Sequence, residues 1–154
     1  MNWKERMDIE ANIETIWRLF DWDNQQRIMP QVVENKLIEE TEGKIGTKFQ
    51  QKYKEGKRVE TYIVEVLEYE DTPAYKHLKV GFTLAKTFNI RAAYTLHKKD
   101  EHHTVFEYSG SNEGINLFGK IMLKLGSTKG NQKVVTDFMK RVQQEALKDE
   151  RNAV

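Results

Sequence analysis

The residues best placed to do chemistry in this sequence are four tyrosines, a glutamine and a glutamate. Tyr53, Tyr62, Tyr94 and Tyr108 fall on strand positions that share a face with Gln51 and with Phe49, Phe82 and Ile90. Phenols and a carboxamide on an apolar wall orient a small molecule by hydrogen bonds while the wall buries its body. Phe49, Gln51, Tyr62, Phe82, Ile90, Tyr94 and Tyr108, with Phe138 from a helix, are therefore the expected ligand contacts. Glu5 shares the parity of Trp3, Met7 and Ile9. A carboxylate turned inward there would have a raised pKa and could move a proton, which makes Glu5 the one weak catalytic candidate.

The other reactive residue types point to bland roles. His102 and His103 are adjacent in the run from Lys98, and neighbours on a strand point to opposite faces, so a solvated hairpin tip is expected rather than a metal site. His77 and His97 fall on the outward parity, with no acid at helical spacing. Gly43 and Gly46 are followed by a strand, so they read as a turn and not as a phosphate cradle. Arg58 and Glu60 read as an ion pair at a rim. There is no cysteine, which removes disulfides, thiolate metal sites and cysteine nucleophiles. No metal and no cofactor are expected.

The whole chain narrows the classes further. Its 154 residues fit one domain, 1–154, with a sizeable core. Lys plus Arg number 25 and Asp plus Glu 24, a net charge of +1, which argues against a dedicated nucleic-acid binder. No run of about 18 apolar residues is present to span a membrane, and the charged start MNWKERMDIE does not read as a signal peptide. A cytoplasmic address is the default expectation.

Hydrophobic periodicity gives the elements that must hold these side chains. Asn2 to Glu10 alternates as a strand. Ile13, Ile16, Trp17 and Phe20 mark a short helix capped by Asn12, and Asn24 to Met29 marks a second one closed by Pro30. Strands are then predicted over 32–40, 47–54, 57–70, 77–84, 88–97 and 104–109, joined by tight turns as a meander. A two-residue loop at Glu55-Gly56 would set Phe49 opposite Tyr62. Phe118, Ile121, Met122 and Leu125 outline a helical piece. Val135, Phe138, Met139, Val142 and Ala146 outline an amphipathic helix of roughly 18–20 residues, with a frayed tail from Lys148. Long strands twist and coil. A curved sheet cannot touch a straight helix everywhere, so a cavity between them is expected.

Several segments resemble the START-like (SRPBCC) superfamily. Ala11-Asn12-Ile13-Glu14-Thr15-Ile16-Trp17 is similar to its alanine-proline-(variable)-valine-tryptophan segment, with Asn12 where proline is usual. Gly43-Lys44-Ile45-Gly46-Thr47-Lys48-Phe49 resembles its Gly-x-x-Gly-[Thr/Ser]-x-aromatic hairpin. Leu67-Glu68-Tyr69-Glu70-Asp71-Thr72-Pro73 resembles the acidic-proline end of its long fourth strand. The resemblance runs over about residues 2–148 and is nearest to bacterial polyketide cyclase/dehydrase-like and pollen-allergen-like members. It implies an α+β helix-grip fold: a curved antiparallel sheet of about seven strands on a long C-terminal helix, with two short helices after the first strand. It also implies a ligand cavity under that helix, without implying one activity.

Three functions stay open at this level. The first is binding or transport of a hydrophobic small molecule, a lipid or a polyketide-like compound. The second is a polyketide cyclase or dehydratase that uses the same cavity, with Glu5 or a tyrosine moving protons. The third is a protein-interaction module, against which the lysines at 48, 52 and 54 on the outer face argue.

Overall fold

A computed structural model describes residues 1–115 and 128–153, with side chains for all of these except 128–131. β1 (Asn2–Ile9) runs into α1 (Ile13–Trp17), a 3₁₀ turn at Arg18–Phe20 and α2 (Gln25–Ile28). Asn12 opens α1 as its type suggests, its side-chain oxygen accepting the Glu14 backbone N–H at 2.9 Å. Six strands follow in a meander: β2 (Val32–Glu39), β3 (Lys48–Glu55), β4 (Arg58–Asp71), β5 (Tyr75–Leu84), β6 (Phe88–Asp100) and β7 (His103–Gly114). The antiparallel sheet has the order β1-β7-β6-β5-β4-β3-β2, and the helix α3 (Thr128–Asn152) follows it in the chain.

The core is lopsided, and that asymmetry makes room for a site. Ile13, Ile16 and Leu19 pack with Ile9, Leu96 and Phe106 and with Val135, Met139, Val142 and Ala146 of α3, all nearly inaccessible to solvent. This solid part rests on β1, β6 and β7. The half of the sheet built from β2 to β5 bends away from it. Irregular pairing between Leu37 and Glu39 and between Val66 and Glu68 marks that bending.

Several expectations need correction. The β3–β4 loop is Gly56-Lys57, with Glu55 paired to Arg58, so Phe49 faces Val64 and Gln51 faces Tyr62. Gly56 holds the left-handed backbone of that turn at φ +60°. The slip is two residues, so every side chain keeps its face. β5 starts at Tyr75, and β7 continues to Gly114. The strand expected over 104–109 therefore runs five residues further, and Gly110 is needed within it. A Cβ there would meet the Trp3 ring at 2.3 Å and the Arg91 carbonyl at 2.4 Å.

α3 has 25 residues, not 18–20, and its end is tied down rather than frayed. Arg27 on α2 reaches Glu145 at 3.0 Å and Asp149 at 2.8 Å, and the Asn12 N–H donates to Glu150 at 3.2 Å. The helical piece expected around Phe118, Ile121, Met122 and Leu125 lies outside the described residues.

Lys76 was not expected inside. Its side chain is only 2% exposed. It sits on the inner parity of β5, in line with Leu78 and Val80. Its ammonium donates to the Asp71 carboxylate, to Glu14 at 2.8 Å and to the Thr72 carbonyl at 3.1 Å. The Trp17 ring lies 5.8 Å away. This pin ties α1 to the β4–β5 hairpin, beside the wall of the site.

Candidate functional site

Between the bent sheet and α3 lies a cavity of about 720 Å³. That is within the usual span for small-molecule sites. The sheet supplies a mostly apolar wall from Phe49, Val64, Val66, Leu78, Val80, Phe82, Ile90 and Ala92. Phe20, Ile28 and Met29 from the first helical segments and Phe138 from α3 face it, with the exposed Val134 at its mouth. The alternation of each strand explains the wall: residues two apart share a face, and the apolar ones were placed on this face by parity.

All eight residues singled out from the sequence as ligand contacts line this cavity. They fall into two groups. Tyr94 and Tyr108, paired across β6 and β7, stack with centroids 5.4 Å apart, and Phe138 lies 4.7 Å from Tyr108. Tyr62 stacks on Phe82 at 4.7 Å, and Ile90 pairs with Phe82. Gln51 stands in register with Tyr62 on one side and Asn35 on the other, which makes a polar row across β2, β3 and β4.

The electrostatics keep the phenols neutral. Burial, with a smaller push from Tyr53, raises Tyr62 to about 12, and burial raises Tyr108 to about 12. Burial and the neighbouring Tyr108 and Tyr62 push Tyr94 well above the ordinary phenol range. Among the described residues no side chain or backbone group hydrogen-bonds these three hydroxyls. They are donors ready for an acceptor.

An alkaline titration checks this arrangement. The unfolded chain loses tyrosine protons near pH 10, while the folded chain holds those of Tyr62, Tyr94 and Tyr108. The native state then binds more protons than the unfolded state, so stability falls as pH rises from about 10 towards 12. Absorbance at the phenolate band should show these three of the six tyrosines ionising last, together with loss of the fold. Ionisation of all six near pH 10 with the fold intact would refute the assignment.

The outer part of the wall is charged. Asp21, Glu40, Lys44, Glu55, Asp137 and Arg141 line it with the exposed Trp22. Glu40 and Lys44 pair at 2.9 Å, and Asp137 is held by Lys133 at 2.7 Å. Burial, then the charge of Asp23, raises the Asp21 carboxyl above its ordinary value.

Other candidates lie elsewhere. Glu5 does face the inner side, half-buried, but it accepts a hydrogen bond from Gln132 at 3.1 Å and is not on the cavity wall. His77 lies off the wall on the opposite parity. It does have an acid partner, across strands rather than along a helix: Glu68 at 2.8 Å, with Thr95 at 2.8 Å on its other nitrogen. His102 and His103 are at an exposed tip, where His103 meets Asp100 at 2.8 Å. Arg58 and Glu60 pair at 2.6 Å, also on exposed ground at the hairpin end. Asn35, Asp21 and Arg141 line the cavity without having been singled out. Asn35 had a usable signal, since it alternates with Leu37 along β2.

No protein-family model and no curated protein sequence matches the chain. Solved structures do. A conserved protein from Geobacillus kaustophilus superposes with a TM-score of 0.68 at 20% identity, over 96% of each chain. The Zhui aromatase/cyclase from Streptomyces sp. R1128 gives 0.68 at 13% identity, over 95% of this chain and 93% of its own. Norcoclaurine synthase from Thalictrum flavum, in complex with dopamine and hydroxybenzaldehyde, gives 0.63 at 14% identity, over 96% and 87%. The fold is therefore the START-like helix-grip fold that the sequence motifs implied.

Proposed function

We propose that the protein binds a hydrophobic small molecule in the cavity between the bent sheet and α3. The observation that carries this reading is the composition of the wall. Apolar side chains surround about 720 Å³, and three neutral phenols and the Gln51 amide stand among them with no hydrogen-bond partner among the described residues. Among the described residues the buried side-chain polar atoms without a partner belong to Trp3, Glu34, Asn35 and Asn112, not to these four, so the phenols and the amide open onto the void instead of lying sealed in packed core. Apolar burial would drive uptake, at about 25 cal/mol per Å² before ordering costs. Tyr62, Tyr94 and Tyr108 would fix the pose through acceptor oxygens on the guest. That pattern suits a polyketide-like compound better than a plain acyl chain, which offers acceptors at one end only.

A catalytic reading of the same cavity, cyclisation or dehydration, draws support from the name of one structural neighbour, an aromatase/cyclase. Phenols held neutral can polarise a carbonyl. Its proton acceptor would be Asp21 rather than Glu5, which is off the wall.

The first test is native mass spectrometry of the protein purified without detergent, followed by solvent extraction. A stoichiometric adduct of a few hundred daltons that leaves on extraction is expected. Titration of the extracted protein with N-phenyl-1-naphthylamine should then saturate at one site. A clean apoprotein that also fails to take up the probe would contradict the reading.

A further inference from the structure

The inner wall holds one polar side chain of a different kind from the phenols. Gln51 is 7% exposed, lines the cavity, and among the described residues has no hydrogen-bond partner for its side chain. A carboxamide is both donor and acceptor, and neither of its polar atoms is among the buried unpartnered ones, so both open onto the cavity and are available to a guest.

Its neighbours do not complete it. In register on β2, Asn35 has its amide nitrogen committed to the Trp22 carbonyl at 2.9 Å. That bond fixes the orientation of the Asn35 amide and leaves its oxygen buried with no donor. In register on β4, Tyr62 is kept neutral and stacked on Phe82. The row Asn35–Gln51–Tyr62 therefore runs acceptor, donor–acceptor, donor across three strands, at roughly 4.8 Å per strand. A guest with a lone carbonyl satisfies only part of Gln51, and a guest with a plain alkyl end satisfies none of it.

Building on the binding reading above, we propose that the guest presents Gln51 with an adjacent hydrogen-bond donor and acceptor on a flat apolar skeleton, as a lactam or other cis carboxamide does. Gln51 pairs with that edge through both ends of its amide, while the rest of the skeleton lies against Phe82 and Ile90. Two hydrogen bonds to one amide set the choice between guests of equal size, because a guest that lacks one of them leaves that end of Gln51 without its partner.

Three matched probes test this: 2-quinolone, with N–H and C=O; N-methyl-2-quinolone, with C=O alone; and naphthalene, with neither. The expected order of affinity is 2-quinolone first, at least about tenfold above N-methyl-2-quinolone, the size of one well-placed hydrogen bond. In Gln51→Met that preference should shrink to within twofold, while naphthalene still binds and shows that the cavity is present. Equal binding of the two quinolones by the parent protein overturns the proposal, as does a preference that survives in Gln51→Met. If naphthalene binds and the quinolones show no preference, the lactam edge fails while the cavity reading stands. If none of the three binds, both fail.

Discussion

The double substitution Glu14→Gln/Asp71→Asn is expected to destabilise the protein at pH 7 by about 3 kcal/mol or more, whereas Lys76→Met should stay within about 1 kcal/mol of the parent. The asymmetry comes from burial. Lys76 is 2% exposed, but Glu14 and Asp71 are 55% and 41% exposed. Removing the lysine lets both carboxylates return to water. Removing the carboxylates leaves an ammonium in the interior with only neutral acceptors and the Trp17 ring.

The pH dependence separates this account from a loss of packing. In the parent, burial alone pulls the Lys76 ammonium down, but the hydrogen bonds to Asp71 and Glu14 outweigh it and hold the pKa above the ordinary 10.5. A raised folded pKa gives stability that is complete below the unfolded value and is lost only as pH rises through the folded one. Between pH 7 and 9.5 this group leaves the parent's stability flat. In the double variant burial outweighs the Thr72 carbonyl and the other neutral partners that remain, and the folded pKa falls below the unfolded one. The unfolded state then binds more protons, so stability rises with pH over the same window. Urea melts at pH 7 and 9.5 read this directly. Equal losses at both values would mean that the pin is not electrostatic.

The second large effect concerns the cavity. Val80→Trp should weaken uptake of an apolar probe at least tenfold without the cost of overpacking. Val80 lies mid-strand on the inner face, paired with Ala92, and still keeps partial accessibility. In a filled core an indole at that position would force side chains off their rotamers, at about 1–3 kcal/mol. In an open cavity it finds space, and the guest loses that space. A variant that melts several degrees lower and binds as before would show that the wall is packed where we describe a void.

These two regions were not equally legible in the sequence. The wall could be read because strand side chains alternate with period two, so apolar parity alone marks Phe49, Phe82 and Ile90 as inward. A slip of two in the β3–β4 register preserves every face, so the wall reads the same from either loop position. Glu5 shows the limit of the same rule. Parity put it on the inner side correctly, but parity says nothing about position across the sheet: β1 is the edge strand, and Glu5 stands one strand beyond the cavity-lining Tyr108, where it accepts from Gln132. Lys76 shows another limit. A lysine beside a proline turn reads as surface, and what buries it is the meeting of α1 with the β4–β5 hairpin, a contact 62 residues apart in the chain between Glu14 and Lys76. Its parity with Leu78 and Val80 was the available clue. Gly110 was hidden for a similar reason, because the need for a glycine is set by the Trp3 ring on a strand from the other end of the sequence.

The most direct test of a guest-binding cavity is to follow the backbone amides by nuclear magnetic resonance while titrating N-phenyl-1-naphthylamine. The account predicts saturable, one-to-one shifts centred on Gln51, Tyr62, Phe82, Ile90, Tyr94 and Phe138, with His77, Glu68 and the His102–His103 tip unmoved. Shifts that never saturate, or that gather on the outer face of the sheet around His77, would contradict it.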